Sequence, residues 1–86
     1  MKVRAGLYKH YKGNLYRVLG VGRHSETLEE MVVYQELYGD HGLWVRPAKM
    51  FVETVSVNSL AVPRFEWISE SLDQNVDTIL DTVVRK

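Results

Sequence analysis

The sequence predicts a small, mainly β domain followed by a C-terminal amphipathic helix. Short runs rich in valine, leucine and aromatic residues alternate with turn signals at regular spacing as far as residue 68. Beyond residue 68 the apolar residues change to the spacing of a helix. About five to six short strands without long helices between them favour a small barrel or sandwich over βαβ units. We therefore expect a small β-barrel domain over residues 1–68 and a helix within residues 69–86.

The first two predicted strands form a hairpin. An aromatic-rich strand over residues 7–11 is followed by a Gly-Asn turn at 13–14, where both residue types tolerate positive φ. The second strand covers residues 15–21, and the glycines at 20 and 22 predict a bulge or a sharp bend. Alternation divides this strand into two faces, with Leu15, Arg17, Leu19 and Val21 on one and Tyr16 and Val18 on the other.

Two further strands are predicted in the middle of the chain. Residues 24–29 are polar and indicate a loop, whereas the β-branched residues and tyrosines of 31–38 favour a strand over a short helix. Two glycines mark a turn at 39–42. A short strand over 43–45 then ends before Pro47, because proline lacks the N–H that a β-ladder needs.

One helical turn and two strands complete the predicted β domain. We expect the helical turn over residues 47–50 and a valine-rich strand over 51–57. An Asn-Ser turn at 58–59 follows. The final strand covers 62–68, and Pro63 favours an edge position for it.

The C-terminal residues carry the pattern of one amphipathic helix over about residues 71–84. Its apolar stripe consists of Leu72, Val76, Ile79, Leu80, Val83 and Val84. Such a helix is marginal alone in water, so it needs a packing partner. Residues 1–64 carry nine Lys and Arg against six Asp and Glu, a net charge of +3, whereas residues 65–86 carry two against five, a net charge of −3. We therefore expect the helix to pack on its own domain, with a homodimer through residues 71–84 as the alternative.

Composition and motif spacing favour a non-catalytic protein. The sequence has no cysteine, which excludes disulfides, thiolate metal sites and cysteine nucleophiles. His24, Ser25 and Glu26 are the residue types of a hydrolytic triad, but adjacent residues point in different directions and cannot face one another. The spacing of His24 from His10 and His41 matches no metal-binding motif. We therefore expect no catalytic residue, no metal and no cofactor, and a hydrolytic enzyme is the least favoured interpretation.

Aromatic and basic residues are the best candidates for binding. Tyr8, Tyr11, Tyr16, Tyr34, Tyr38 and Trp44 are interleaved with Lys9, Lys12, Arg17, Arg23 and Arg46. Trp44 and Arg46 share one face of their strand, and Leu43 and Val45 share the other. If the second face meets the core, Trp44 is exposed beside a guanidinium, a pairing typical of binding hot spots. If both faces are covered, the aromatic rings only fill the core. The candidate binding residues are His24, Ser25, Glu26, Tyr34, Tyr38, Trp44 and Arg46.

A set of short strings along the chain resembles a bacterial family. The strings are Tyr11-Lys12-Gly13-Asn14, Tyr16-Arg17-Val18-Leu19-Gly20, His24-Ser25-Glu26-Thr27-Leu28-Glu29, Val32-Val33-Tyr34, Leu37-Tyr38-Gly39-Asp40, Leu43-Trp44-Val45-Arg46-Pro47, Met50-Phe51 and Val62-Pro63-Arg64-Phe65. Together they are similar to the domain-of-unknown-function family 1653 over about residues 5–68. The resemblance implies a compact all-β domain like an SH3-like barrel. It implies no activity, because the family has none assigned, and it does not extend to the C-terminal tail.

These observations favour a binding module for a peptide, a protein or a small molecule. The alternative is a nucleic-acid-associated domain that uses the +3 charge of residues 1–64, which carry nine Lys and Arg against six Asp and Glu. No apolar run has the length of a signal peptide or a membrane span, so we expect a cytoplasmic protein with no membrane partner.

Overall fold

A computed structural model describes residues 3–70 and shows a mainly β fold with one short helix. In chain order the elements are β1 (Gly6–His10), β2 (Leu15–Arg23), β3 (Glu30–Glu36), β4 (Leu43–Pro47), α1 (Ala48–Phe51), β5 (Thr54–Val57), β6 (Leu60–Pro63) and β7 (Phe65–Ser69). The predicted helix over residues 71–84 and its two packing alternatives lie outside the described residues. Within residues 3–70 the structure contains no helix that is long and apolar enough to cross a membrane.

The strands form two antiparallel sheets. The larger sheet has five strands in the order β4-β3-β2-β1-β7, and the smaller one is the β5–β6 hairpin. Consecutive hairpins build β1 to β4, and the last strand then returns to pair with the first. This topology leaves β4 and β7 at the two edges of the larger sheet.

The predicted mainly β fold is confirmed, but the predicted small barrel does not close within the described residues, because both sheets are open. The single strand expected over residues 62–68 is divided at Arg64 into β6 and β7, which belong to different sheets. The backbone of Arg64 bridges the gap: its N–H donates to the Glu53 carbonyl (3.0 Å), and its carbonyl accepts from the Tyr11 N–H (2.9 Å). The chain therefore changes sheets at Arg64 and does not continue one ladder around a barrel.

The core lies on one face of the five-stranded sheet, beneath α1. Its buried members are Tyr8, Val18, Val32, Tyr34, Ala48, Phe51 and Phe65. The Phe51 ring stacks on Phe65 with 4.2 Å between centroids and meets the edges of Tyr8 and Tyr34 at 5.4 Å. The sequence placed Phe51 at the start of a strand, and that assignment is wrong. Phe51 is the last residue of the helical turn, which directs its ring into the core.

The bulge predicted in β2 is confirmed, and it changes which residues share a face. The β2–β3 register shifts between Val18 and Gly20, so Val21 pairs with the fully buried Val32. Cross-strand partners lie on the same side of a sheet, so Val18 and Val21 both lie on the core side. The predicted face that joined Val21 to Leu19 is therefore wrong, because one extra residue reverses the alternation.

Backbone conformation supports the turns expected from the sequence. Gly13 has φ of 108°, and its N–H donates to the His10 carbonyl at 2.7 Å, which closes the β1–β2 hairpin. Asn58 and Ser59 have φ of 52° and 67° and connect β5 to β6. Two consecutive positive values are the signature of a type I′ hairpin turn.

Candidate functional site

A concavity of about 220 Å³ at one end of the larger sheet brings aromatic and charged side chains together. It is lined by Tyr16, Tyr34, Glu36, Tyr38, Trp44 and Arg46, and we call these six residues the tyrosine cradle. They come from β2, β3, β4 and the turn that follows β3. Four of them, Tyr34, Tyr38, Trp44 and Arg46, are candidate binding residues from the sequence.

Strand register explains why these side chains meet. Tyr34 pairs with Val18 on one side and with Trp44 on the other, so all three side chains lie on the core face. Val18 and Tyr34 are buried, but Trp44 is 54% exposed because it lies on the edge strand. The aromatic surface therefore runs continuously from the core to solvent.

Tyr16 and Tyr38 form the second wall of the cradle. The Tyr16 ring meets Tyr34 at 5.6 Å and Tyr38 at 5.4 Å, both edge to face. The hydroxyls of Tyr16 and Tyr38 share a hydrogen bond in which either can donate. Burial raises the pKa of Tyr16 above its ordinary value, and the hydrogen bond with Tyr38 raises it further. The phenol of Tyr16 is therefore protonated and uncharged at neutral pH.

The indole of Trp44 is held by a carboxylate. Its Nε1–H donates to Oε1 of Glu36 at 2.6 Å, a short, charge-assisted hydrogen bond. The bond orients the exposed ring over the cradle and occupies one oxygen of Glu36. An exposed aromatic ring in a fixed orientation presents its apolar face at little further cost in conformational entropy.

Arg46 supplies positive charge to the same concavity. Its Nε–H donates to the Tyr34 hydroxyl at 3.4 Å, and within residues 3–70 no carboxylate lies at ion-pair distance from it. The terminal N–H groups of its guanidinium are therefore available to an anion. A guanidinium matches the two oxygens of a carboxylate or phosphate through parallel hydrogen bonds.

Trp44 is exposed for a different reason from the one that the sequence suggested. Leu43 and Val45 do not point into the core: they are 63% and 59% exposed on the opposite face of the sheet. β4 pairs with β3 on one side only, and its other side is an open edge among the described residues. Trp44 is thus exposed because its strand is last in the sheet.

His24, Ser25 and Glu26 lie apart from the cradle. They form the turn after β2, whereas Tyr16 lies near the start of that strand, about 26 Å away along an extended chain. Nδ1 of His24 accepts from the backbone N–H of Glu26 (3.1 Å) and of Thr27 (3.3 Å). The imidazole of His24 therefore stabilises its own turn.

Two cradle residues were not in the final set of seven candidates: Tyr16 belonged only to the wider aromatic and basic group, and Glu36 belonged to neither. Tyr16 alternates with Val18, and that pattern could have placed it on the core face beside Tyr34. Glu36 carries no such signal, because its role depends on the Trp44 indole across the turn. No three His, Asp or Glu side chains within residues 3–70 are grouped closely enough to hold a metal ion.

A second, larger concavity of about 440 Å³ lies between β1, β7 and the β5–β6 hairpin. Its lining consists of Lys9, His10, Tyr11, Val57, Val62, Pro63 and Glu66. Nδ1 of His10 accepts from the Lys12 N–H at 3.2 Å, which uses that nitrogen locally. Because volume alone does not identify a site, the smaller cradle, with its exposed indole and available guanidinium, is the better candidate.

Comparison with known proteins places the cradle inside a shared domain. The sequence pattern of the family described as "Protein of unknown function (DUF1653)" matches residues 6–67, which include all six cradle residues. A crystal structure of a DUF1653 protein from Bordetella bronchiseptica is 36% identical, with a TM-score of 0.74 over 85% of this chain and 96% of that one. No curated protein matches the chain.

Proposed function

The chain belongs to the DUF1653 family, and we propose that it is a non-catalytic binding module whose tyrosine cradle receives an aromatic anion. The ligand carries a carboxylate or phosphate group beside a flat ring, either as a free small molecule or as the exposed part of a larger one. The proposal rests on the environment of Arg46. Its guanidinium has no carboxylate partner within the described residues, and it lies beside the exposed Trp44.

The two ends of the cradle have opposite charge, which gives the ligand a direction. Arg46 pairs across the strands with Val32, whereas Glu36 lies at the other end of the strand pair, where its N–H donates to the Gly42 carbonyl at 3.0 Å. Trp44 lies between these two positions along β4. An anion therefore lies at the Arg46 end, away from the Glu36 carboxylate, and the ring lies against the indole.

The size of the cradle limits what it can enclose. Pockets that enclose drug-sized ligands usually have volumes of about 300–1,000 Å³. The cradle, at about 220 Å³, holds one ring and its anionic group. A larger ligand would leave its remaining atoms in solvent.

The protonation state of Tyr16 argues against a role as a general base. Because its pKa is raised by burial and by the Tyr38 hydrogen bond, Tyr16 does not form a phenolate near neutral pH. A protonated phenol is a weak base but a good hydrogen-bond donor to an anionic oxygen.

The proposal is tested with small probes that differ only in charge. We expect benzoate and phenyl phosphate to shift the NMR signals of the cradle, with a dissociation constant on the order of 1 mM, and neutral benzamide to bind far more weakly. Arg46→Gln should weaken benzoate binding by about 10- to 100-fold, since a hydrogen bond to a charged group contributes about 1.5–3 kcal/mol. Arg23→Gln, an exposed arginine outside the cradle, is the matched control.

Two results would overturn the proposal. One is equal binding of benzoate and benzamide, and the other is a benzoate affinity that Arg46→Gln leaves unchanged. Binding of a single-stranded oligonucleotide with a steep salt dependence, in the absence of benzoate binding, would support the nucleic-acid alternative instead.

A further inference from the structure

Within residues 3–70, the edge strand β4 lacks the features that usually protect a sheet edge. Leu43, Trp44 and Val45 are consecutive, apolar and each more than half exposed, at 63%, 54% and 59%. Natural edge strands are commonly blocked by lysine, a bulge or proline. β4 has none of these within the three residues, and Pro47 stands only at its end. An open, apolar edge of this kind favours pairing with another strand.

Hydrogen bonding to β3 determines which backbone groups face the open edge. The Glu36 N–H donates to the Gly42 carbonyl at 3.0 Å. Hydrogen-bonded pairs alternate along an antiparallel ladder, so Trp44 and Arg46 direct their backbone groups towards Tyr34 and Val32. The N–H and carbonyl groups of Leu43 and Val45 therefore point away from β3.

We propose that β4 pairs antiparallel with β4 of a second copy of this chain, in a register centred on Val45. In that register Val45 lies opposite the partner's Val45, and Leu43 lies opposite the partner's Pro47. Val45 exchanges both backbone hydrogen bonds with its equivalent, and each Leu43 N–H donates to a Pro47 carbonyl. The missing N–H of Pro47 falls at the outer ends of the paired strands, where it removes no central hydrogen bond.

The side chains of β4 are complementary to themselves in this register. On the outer face, apolar residues meet apolar residues at the Val45 and Leu43–Pro47 positions. On the cradle face, Arg46 lies opposite the partner's Trp44, where the guanidinium can stack on the indole. No like charges are directly opposite each other, so a second copy fits this edge across its full five residues.

The expected dimer is weak. Pairing of a single short strand buries less than the ~1,200–2,000 Å² of a standard stable interface. We therefore expect a dissociation constant on the order of 0.1 mM, visible as a concentration-dependent mass in solution. On the cradle face the dimer places Arg46 against the partner's Trp44, so pairing and ligand binding meet at these two residues. Val45 lies on the outer face, so a substitution there tests the dimer without changing a cradle residue.

Single cysteines test the register, because the native chain has none. Val45→Cys should form a disulfide-linked dimer on mild oxidation, since Cα atoms of a hydrogen-bonded pair are ~5.5 Å apart, within disulfide range. Leu43→Cys is the matched control: it is equally exposed on the same face, but the two copies of residue 43 are about four residues out of register. Absence of the Val45→Cys dimer, or equal cross-linking of both variants, would overturn the proposal.

A lysine at the same position tests the interface without oxidation. Val45→Lys places two ammonium groups opposite each other, so the dissociation constant of the dimer should rise at least ~10-fold. Leu60→Lys, at a 68% exposed leucine of the smaller sheet, should leave it unchanged. Unchanged dimerisation of a folded Val45→Lys variant would contradict the proposal, and a thermal melt shows that the variant is folded.

Discussion

His10 lies where the aromatic core meets the second concavity, and its environment opposes protonation. Its ring lies 4.9 Å from Phe65, edge to face, and 4.6 Å from Tyr11. Burial lowers the pKa of His10 below its ordinary value of 6.5, and the positive charges of Arg64, Lys12 and Arg46 lower it further. The imidazole is therefore neutral at pH 7.

The lowered pKa of His10 makes stability depend on pH in one direction. The pKa of His10 is higher in the unfolded chain than in the folded chain, so the unfolded chain binds the proton more tightly. As the pH falls from about 6.5 towards the folded-state pKa, this protonation lowers the free energy of unfolding. Well above pH 6.5 His10 contributes no pH dependence. Urea unfolding at pH 7.5 and pH 5 should therefore show a larger loss of stability for the native protein than for His10→Asn. Asparagine is the substitution because its side-chain oxygen retains an acceptor for the Lys12 N–H. Equal losses of stability in the two proteins would show that His10 is not the group responsible for the pH dependence.

At the level of single elements, β1 depends on close approach to β7. Gly6 has φ of 136°, and a Cβ built on it would lie 2.4 Å from the Ser69 carbonyl oxygen. Both the backbone conformation and the contact require glycine. Gly20, in the bulged strand β2, has no atom within 4 Å of an added Cβ and no positive φ.

These two glycines should respond differently to the same substitution. Gly6→Ala should lower the free energy of unfolding by about 2 kcal/mol or more, because strained backbone and steric overlap add. Gly20→Ala should change it by less than about 1 kcal/mol. Urea unfolding of both variants measures the difference. Comparable effects would mean that the β1–β7 contact does not constrain Gly6.

The β2 bulge shows how one element sets the faces of its neighbours. Val18 and Val21 both lie on the core side because Leu19 is the additional residue between them. Beyond the bulge, β2 continues to the His24 turn, which is why that turn is far from Tyr16. The separation of His24, Ser25 and Glu26 from the cradle therefore follows from the length of β2.

For the whole molecule, the position of α1 separates the buried part of the sheet face from the open part. Phe51 reaches from α1 to rings on β1, β3 and β7, and it is 1% exposed. Trp44 lies on the same face at the open edge, 54% exposed. Phe51 therefore packs the elements together, whereas Trp44 is available for a ligand.

Truncating these two residues should separate stability from binding. Phe51→Ala should cost about 3–5 kcal/mol of stability, as expected for a fully buried phenylalanine. Trp44→Ala should cost less than about 1 kcal/mol of stability but weaken benzoate binding by ~10-fold or more. Urea unfolding and NMR titration measure the two quantities. A large loss of stability in Trp44→Ala, with unchanged benzoate affinity, would make Trp44 a core residue only.

Local signals in the sequence determined the strands, the turns and part of the candidate site. Gly13, Asn58 and the β2 glycines marked turns and a bulge because backbone conformation depends mainly on neighbouring residues. Alternation of side chains along a strand is also a local property, and it predicted that Trp44 and Arg46 share one face. The strings in residues 5–68 also resembled the correct family, and the family pattern matches residues 6–67. The helix predicted over residues 71–84 stays a prediction.

Only the tertiary structure decided that β4 is an edge strand and which side chains meet. The β1–β7 pairing joins Leu7 to Ser69, far apart in sequence, and the division at Arg64 leaves two open sheets in place of a barrel. No strand among the described residues pairs with the outer side of β4, which exposes Trp44, and the β2–β3 register brings Tyr16 to Tyr38. Pairing between strands that are distant in sequence depends on the packing of the whole chain. Burial and register determine which strands pair, and neighbouring residues in the sequence do not.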